Sequence, residues 1–369
     1  MSDVTREDIR FMRRALRLAV KGLRGCAPNP AVGCVIVNRG QVAGEGFHAR
    51  AGEPHAEIMA LGQAGEKARG GTAYVTLEPC SHHGRTPPCA PALVEAGLSR
   101  VVVGAGDPNP RVSGGGLDML KQAGIRVEMG VCEAQARRIN RGFFSRFERG
   151  RPWLTLKLAA SLDGRSALAN GTSQWITGPV SRAAVHRARA RAGAVMTGVG
   201  TVLADDPLLN ARLPGQRRQP LRVVLDSALS LSPQARLLED GNGGAVHVFC
   251  ARGAEAGRRE LLVAAGAAVH EIEAGDDGRP LPASVLATLA ELEVNEVYVE
   301  CGPRLAGALI DSGLVDELEL FQGPHLFGSD ALGIAELPPR TRIPDPPIWW
   351  IVRAQRCGRD VRIRMQMEK

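Results

Sequence analysis

The sequence has no long apolar run: nothing in its 369 residues approaches the roughly 20 that a helix needs to cross a bilayer. Its opening, MSDVTREDIRFMRRALRLAVKG, spaces Ile9, Met12, Leu16, Ala19 and Leu23 at helical intervals with charges between them. That pattern reads as an amphipathic helix and not as a secretory leader, so the expected location is the cytoplasm. Aromatics are scarce, at 4%, too few for an obvious base-stacking platform. Lysine is scarcer still. Only five lysines accompany a net charge of +7, so the positive charge is nearly all arginine, scattered without a dense basic block. Small molecules are therefore the expected partners, with neither nucleic acid nor membrane among them.

A disulfide framework is also missing. Eight cysteines are spread over a chain read as cytosolic, where thiols stay reduced. Cys26, Cys34, Cys132, Cys250, Cys301 and Cys357 are expected to be small apolar fillers. Cys80 and Cys89 keep different company. Internal repeats, low-complexity tracts and a G-x-G-x-x-G fingerprint after a strand are absent as well.

What is present is ordinary globular composition, 44% hydrophobic and 23% charged, on a chain long enough for two domains. The stretch AVGCVIVNRGQVAGEGFHA reads as a hairpin turning at Asn38–Gly40, and PHAEIMALGQAGEKA as a helix. GTAYVTLEPC, RVVVGAGDPNP and IRVEMGV read as strands with helices between, which predicts an α/β sandwich with a mixed sheet. Residues 133–150 read as a helix and basic connector. A second α/β rhythm starts at RPWLTLKLAASLDGR, so the expected domains are 1–148 and 149–369.

The chemistry concentrates in HAE (55–57) and PCSHHGRTPPC (79–89). Zinc takes imidazole and thiolate ligands tetrahedrally, and a catalytic site keeps one position for water. His55, Cys80 and Cys89 supply three protein ligands, and water in the fourth position ionises near neutral pH. Glu57, two residues past the histidine at a helix start, is placed to relay protons without ligating. Zinc deaminases pair H-x-E with P-C-x-x-C; here eight residues separate Cys80 from the second cysteine instead of two. A closed structural site is the alternative, with His82 or His83 as fourth ligand.

In the second half the signals are weaker one by one. VMTGVGTVLADDP and VYVECGPRLAGALI each carry a glycine-bearing turn from strand to helix, where backbone N–H groups suit a pyrophosphate. Taken alone, such a turn is more often tight packing than a ligand site.

Taken together, APNPAVGCVIV, GEGFH, HAE, EPCSHHGRTPPC and VVVGAGDPNP closely resemble the deaminase domain of the bifunctional riboflavin-biosynthesis deaminase/reductases, over residues of about 5–145. The long insert ending in TPPC favours that branch over nucleoside or tRNA deaminases. KLAASLDGR, SQWITG, MTGVGTVLADDPLLNAR, VVLDS and ECGPRLAG resemble the reductase domain of the same family, over roughly 151–365.

The resemblance implies a cytidine-deaminase-like α/β/α sandwich followed by a dihydrofolate-reductase-like α/β domain that uses NADPH. It implies zinc on His55, Cys80 and Cys89, the proton shuttle on Glu57, and pyrimidine contacts at Asn29 and His48, with Arg85 a candidate for the substrate phosphate. In the second domain it implies cofactor contacts at Ala159, Trp175, Thr201, Asp205, Ser227 and the turn of Gly302, Pro303, Arg304, Leu305, Ala306, Gly307 and Ala308. Substrate contacts fall on Ser173, Arg189, Leu209, Arg212 and Glu300. Guanidinium groups suit a ribose phosphate, and Lys157 is expected beside the reacting carbon or a ribityl hydroxyl. Pro303 removes one donor from the phosphate cradle. The family also implies a homo-oligomer, a dimer or tetramer. Two rival readings remain open: a nucleoside or nucleic-acid deaminase with an accessory nucleotide-binding domain, and a zinc-stabilised NADP-binding regulator without turnover.

Overall fold

The computed structural model of the chain describes residues 4–81, 87–216, 218–239, 241, 243–343 and 348–367. Two compact units divide it, Met1–Gly150 and Arg151–Lys369. Among the described residues, no helix is long and apolar enough to cross a membrane.

Unit 1 contains strands β1 (Gly33–Asn38), β2 (Gln41–Phe47), β3 (Thr72–Leu77), β4 (Arg100–Ala105) and β5 (Arg126–Met129). Its helices are α1 (Arg6–Gly22), α2 (Ala56–Ala64), α3 (Cys89–Glu95), α4 (Gly115–Gln122), α5 (Glu133–Ile139) and α6 (Arg141–Arg149). The sheet order is β2-β1-β3-β4-β5. The first two pairings are antiparallel and the last two parallel, so the sheet is mixed.

Thr5 and Asp8 start α1 with a reciprocal capping box, a device that stabilises a helix end by about 1 kcal/mol. The β1–β2 hairpin turns on Arg39 and Gly40, both with positive φ, the geometry that matches strand twist in a two-residue loop.

Helices cover both sheet faces. Ala56, Ala60, Ala90, Leu93 and Leu120 from α2, α3 and α4 pack on Cys34, Ile36, Val75 and Val101. Phe11, Met12, Leu16, Phe143 and Phe144 from α1 and α6 pack on Val35, Tyr74 and Val102. Residues 133–150 form two helices where the sequence suggests one. The buried Asn140 side chain sits at the break, bonding both the Ala31 N–H (2.7 Å) and its carbonyl (2.9 Å).

Unit 2 runs β6 (Trp153–Ala160), β7 (Arg165–Ala167), α7 (Pro179–Arg191), β8 (Ala194–Gly198), α8 (Val199–Asp205), β9 (Leu221–Leu225) and β10 (Val246–Ala251). It continues with α9 (Ala256–Ala264), β11 (Ala267–Ile272), α10 (Pro282–Glu291), β12 (Glu296–Glu300), α11 (Pro303–Asp311), β13 (Glu317–Gln322), β14 (Leu332–Gly333), β15 (Trp349–Cys357) and β16 (Asp360–Met367). Nine strands join in the order β11-β10-β9-β8-β12-β6-β13-β16-β15, while β14 pairs with β7 alone. All neighbours from β11 to β13 are parallel, and β16 and β15 close the edge antiparallel.

One face of this sheet packs Leu154, Leu156, Val297, Val299 and Met196 under α10 and α11. The other places Val224, Val246 and Val248 near α9, and Tyr298 and Phe321 under Ala184 and Val185 of α7. Parallel strands end together, so the carboxyl ends of β6, β8, β9 and β12 form one rim, the usual seat of a ligand in such sheets.

Candidate active sites

In unit 1 the fold brings together the residues that the sequence singles out. His55 is the N-cap of α2, Cys80 follows β3, and Cys89 opens α3. His55 Nδ1 lies 2.9 Å from Cys89 Sγ and 3.6 Å from Cys80 Sγ, and the two sulfurs are 3.6 Å apart. Among the described residues, this is the one cluster of three ligating side chains close enough to hold a metal. Tetrahedral zinc with bonds of about 2.0–2.3 Å sets its ligand atoms about 3.5–3.8 Å apart. The triangle fits that with a small adjustment of one edge. Backbone N–H groups of Cys89 and Ala90 close the loop by donating to the Cys80 carbonyl, both at 3.1 Å.

The electrostatics suit a bound cation. A hydrogen bond from Cys89 pulls the Cys80 thiol down to about 4 against its burial, with His55 adding to the pull. The same contact, with burial, pushes the Cys89 thiol up. Glu57 is buried on the first turn of α2 and hydrogen-bonded with Cys89. Burial pushes its carboxyl up to about 7, against the favourable field of His55.

His48 is buried 5.1 Å from the His55 ring, centre to centre. With its Nδ1 on the Pro54 carbonyl (3.3 Å), its Nε2 accepts from the Asn29 amide at 3.0 Å. Asn29 and His48 thus stand as one hydrogen-bonded pair beside the cluster. Arg85, His82 and His83 lie outside the described residues.

The sequence reading missed two buried acids near Cys80. Glu78 accepts from the Asp107 N–H at 3.3 Å, and burial raises both carboxyls, Asp107 to about 6. The polar GDPNP run after β4 was the available signal for Asp107. Gly116 explains how tightly this region closes: a Cβ there would fall 1.8 Å from the Pro79 carbonyl oxygen.

Unit 2 gathers its site from distant segments. Glu300, last in β12, accepts from Arg189 Nε and Nη2 of α7 at 2.5 and 3.0 Å, and Lys157 Nζ of β6 stands 3.9 Å away. Burial would raise the Glu300 carboxyl, but Arg189, with Lys157 behind it, holds it down to about 2. Arg189 Nη1 also donates to the Asn210 carbonyl at 3.1 Å. Arg212 bonds the Asn210 side chain at 2.7 Å, and Leu209 is buried beside it in the chain with φ of 50°. Lys157, Arg189, Arg212 and Glu300 therefore belong to one network. His186, Asn210 and Gln219 are the members that the sequence reading missed. His186 stands three residues before Arg189, a spacing that puts both on one helix face.

The expected cofactor residues follow the rim of strand ends. Ala159 lies in β6, Thr201 and Asp205 in α8, and Ser227 just past β9. Trp175 is 63% exposed with Arg182 stacked 4.5 Å from its ring centre, and its neighbour Gln174 donates to Asp205 at 3.1 Å. That bond ties the loop of Ser173 and Trp175 to the end of α8. Gly302 is the N-cap of α11, with no side chain capping it. A Cβ there would meet nothing within 4 Å, so the helix N-terminus faces open space. Pro303 has no N–H, which leaves the next amides as donors. An uncapped N-terminus with a glycine at its mouth suits a dinucleotide pyrophosphate.

Comparison with known proteins agrees with this geometry. Residues 152–361 match the family model of the RibD C-terminal domain. Residues 5–105 match that of the cytidine and deoxycytidylate deaminase zinc-binding region. The riboflavin biosynthesis protein RibD of Escherichia coli K12 is 46% identical over 367 residues, covering 96% of this chain and 98% of that one.

A crystal structure of Acinetobacter baumannii RibD superposes with a TM-score of 0.89 at 42% identity, over 98% of this chain and 99% of that one. A Thermotoga maritima protein, described as a diaminohydroxyphosphoribosylaminopyrimidine deaminase/5-amino-6-(5-phosphoribosylamino)uracil reductase, does so with a TM-score of 0.85 at 35% identity and the same coverage. The chain belongs to the RibD family: a deaminase with a zinc-binding region followed by a reductase, acting in riboflavin biosynthesis.

Proposed function

We propose that unit 1 hydrolyses the 2-amino group of 2,5-diamino-6-ribosylamino-4(3H)-pyrimidinone 5′-phosphate, and that unit 2 then reduces the ribosyl group of the product to ribityl. The observation that carries this reading is the triangle of His55, Cys80 and Cys89 with the buried Glu57 against it. A structural site has no use for a fourth, proton-carrying group.

In this reading the three residues hold zinc, a Lewis acid that makes water acidic enough to attack at neutral pH. Glu57 would carry two protons in turn, the first from the attacking water to the ring nitrogen and the second from the resulting hydroxyl to the amino group, which then leaves as ammonia. Asn29 and His48, already bonded to each other, orient the pyrimidine from one side. Burial lowers the His48 pKa, against its bond to the Pro54 carbonyl.

In unit 2, NADPH is the hydride donor, and the protein supplies position and field. The N-terminus of α11, from Gly302, takes the pyrophosphate, while Ala159, Trp175, Thr201, Asp205 and Ser227 line the rim along which the cofactor lies. Lys157 sits by the reacting ribose carbon. Glu300 holds that ammonium in place and is itself fixed by Arg189. Ser173, Leu209 and Arg212 complete the substrate contacts, with Arg212 facing the phosphate.

The partners in this reading are small phosphorylated pyrimidines, not nucleic acid, in a cytoplasmic homo-oligomer, a dimer or tetramer; the thin aromatic content supports the first part. The test follows ammonia release and NADPH oxidation in one cuvette with the diaminopyrimidinone ribotide. Ammonia is expected without NADPH, and oxidation only after it. Oxidation that precedes deamination, or neither signal in zinc-replete protein, overturns the reading.

A further inference from the structure

The strand order of unit 2 sets which part of a dinucleotide meets which strand end. From the reacting end, the rim runs β6, β12, β8, β9, β10. Lys157 and Ala159 lie in β6, α11 and α8 begin just past β12 and β8, and Ser227 stands two residues past β9. Neighbouring strands are about 4.8 Å apart. A cofactor laid along this rim, with nicotinamide over β6 and pyrophosphate at β12 and β8, carries its adenine ribose over β9. The end of β10 lies one spacing further, where a group on the ribose C2′ arrives.

That end carries a cation. Arg252 is the first residue past β10, and its backbone is held from two sides. Its own N–H donates to the Ile272 carbonyl at 3.2 Å, and the N–H of Ala251 donates to the Ser227 carbonyl at 3.3 Å. The second bond ties the Arg252 turn directly to the Ser227 turn.

Three arginines fall within residues 251–260, and they are employed differently. Arg258 donates to the Leu229 carbonyl at 3.2 Å and pairs with Glu255 at 3.3 Å. Arg259 pairs with Glu271 at 2.7 Å. Arg252 is exposed, and its guanidinium makes no hydrogen bond or ion pair among the described residues. The half-buried Ser227 hydroxyl makes none there either.

Dinucleotide sites tell the two cofactors apart at this ribose. An acidic side chain past the strand takes the 2′-hydroxyl of NAD, and an arginine takes the 2′-phosphate of NADP. The acid past β9, Asp226, is 1% exposed and already committed. Its Oδ1 accepts from the Ser230 hydroxyl at 2.8 Å and its Oδ2 from the Leu231 N–H at 2.7 Å. The end of β9 thus offers a 2′-hydroxyl no free carboxylate, while Arg252 offers a phosphate a fork of unspent donors.

On the cofactor reading given above, we infer that Arg252 determines the preference for NADPH: its guanidinium binds the 2′-phosphate, with the Ser227 hydroxyl as a second donor.

The test is calorimetric titration of the full, zinc-replete chain with NADP⁺, NAD⁺ and 2′,5′-ADP. Wild type is expected to bind NADP⁺ more tightly than NAD⁺. In Arg252→Ala, loss of a hydrogen bond to a charged group predicts Kd about ten- to a hundredfold weaker for NADP⁺ and 2′,5′-ADP. Kd for NAD⁺ should stay at the wild-type value. Arg252→Lys should fall between, since it keeps the charge without the fork. KM for NADPH should rise in parallel, with kcat little changed.

An NADP⁺ Kd unchanged in Arg252→Ala overturns the inference, as does a wild type that binds NADP⁺ and NAD⁺ equally. Equal weakening of both cofactors also overturns it, because that marks a structural role. Wild-type protein that binds neither dinucleotide overturns the cofactor reading itself, an outcome distinct from the other three.

Discussion

The two sites collect opposite kinds of uncompensated charge, and each does so on a frame that holds the groups in place beforehand. In unit 1 two thiols, an imidazole and a carboxylate converge where two helices begin. The hydrogen bond with Cys89 favours the Cys80 thiolate, while burial raises the Glu57 carboxyl, so the cluster offers a soft anionic ligand beside a group able to carry a proton. In unit 2 Lys157, Arg189 and Arg212 surround a single carboxylate that stays ionised down to about 2. On the proposed function, that site takes an anion. The first arrangement calls for a metal, and the second for a phosphate and an electron-rich cofactor.

The sharpest way to break the comparison is to remove a ligand from one side only. Cys80→Ser is expected to strip zinc from the protein and reduce ammonia release below detection. NADPH oxidation with pre-deaminated substrate should continue. Metal analysis of the purified variant decides it, since unchanged stoichiometry removes Cys80 from the ligand set. Glu57→Gln is the milder break. It should keep its zinc yet lose deamination by about 10²–10⁴-fold, the range for a positioned proton carrier. Near-normal turnover would leave the shuttle without a carrier.

The same contrast explains what the sequence discloses. The proposed zinc ligands are legible because they lie within residues 55–89 and because H-x-E and P-C are chemically narrow choices. The alternation of helices and strands is legible too, since the buried strands VIV and VVV are apolar throughout. The break of residues 133–150 into two helices is not. It depends on Asn140 meeting the backbone of Ala31, far away in sequence. Nor do the last 25 residues announce the β15–β16 hairpin, whose outward residues, including Trp350, Ile351 and Val352, give no clean alternation. The Arg189–Glu300 pair spans β12 and α7, so only the sheet order reveals it, and His186 joins the network only once that pair is seen. A resemblance supplies Arg189 and Glu300 by position. It does not show that most of the Arg189 donors are already taken.

A third prediction tests that internal pairing. Glu300→Gln leaves the largely buried Arg189 without its counter-charge, and breaking such a pair costs about 3–5 kcal/mol. Denaturant unfolding should show the loss in unit 2, with ammonia release at pH 7 unaffected. The pH dependence has a definite sign. The folded-state pKa of Glu300 lies below its ordinary value of 4.5, so its contribution is complete above that value and is lost as pH falls toward 2. Wild-type protein should therefore soften between about pH 5 and 2, and the glutamine variant should lack that part of the slope. Asp8, held down to about 2 by Arg100 and its hydrogen bonds to Thr5 and Tyr74 despite burial, gives unit 1 a slope of the same sign. The difference between wild type and Glu300→Gln isolates unit 2. An identical acid slope in the two would place the ionised pair elsewhere.

The smallest effect should come from Arg212→Ala, and it is informative because of what it leaves in place. Arg212 holds His186 through its backbone N–H, which alanine retains, and Ala211 remains clamped by Gln219. The substitution thus removes an exposed guanidinium and little of the frame. KM for the phosphorylated reductase substrate should rise about tenfold with kcat preserved, the signature of lost uniform binding. Arg212→Lys should fall between, because an ammonium keeps the charge but not the planar fork. If ammonia release falls instead, Arg212 serves the other unit's chemistry and the division of labour between the two sites is wrong. If kcat falls with KM unchanged, the guanidinium acts on the reacting carbon, and the anion pull of unit 2 must come from Lys157 and Arg189 alone.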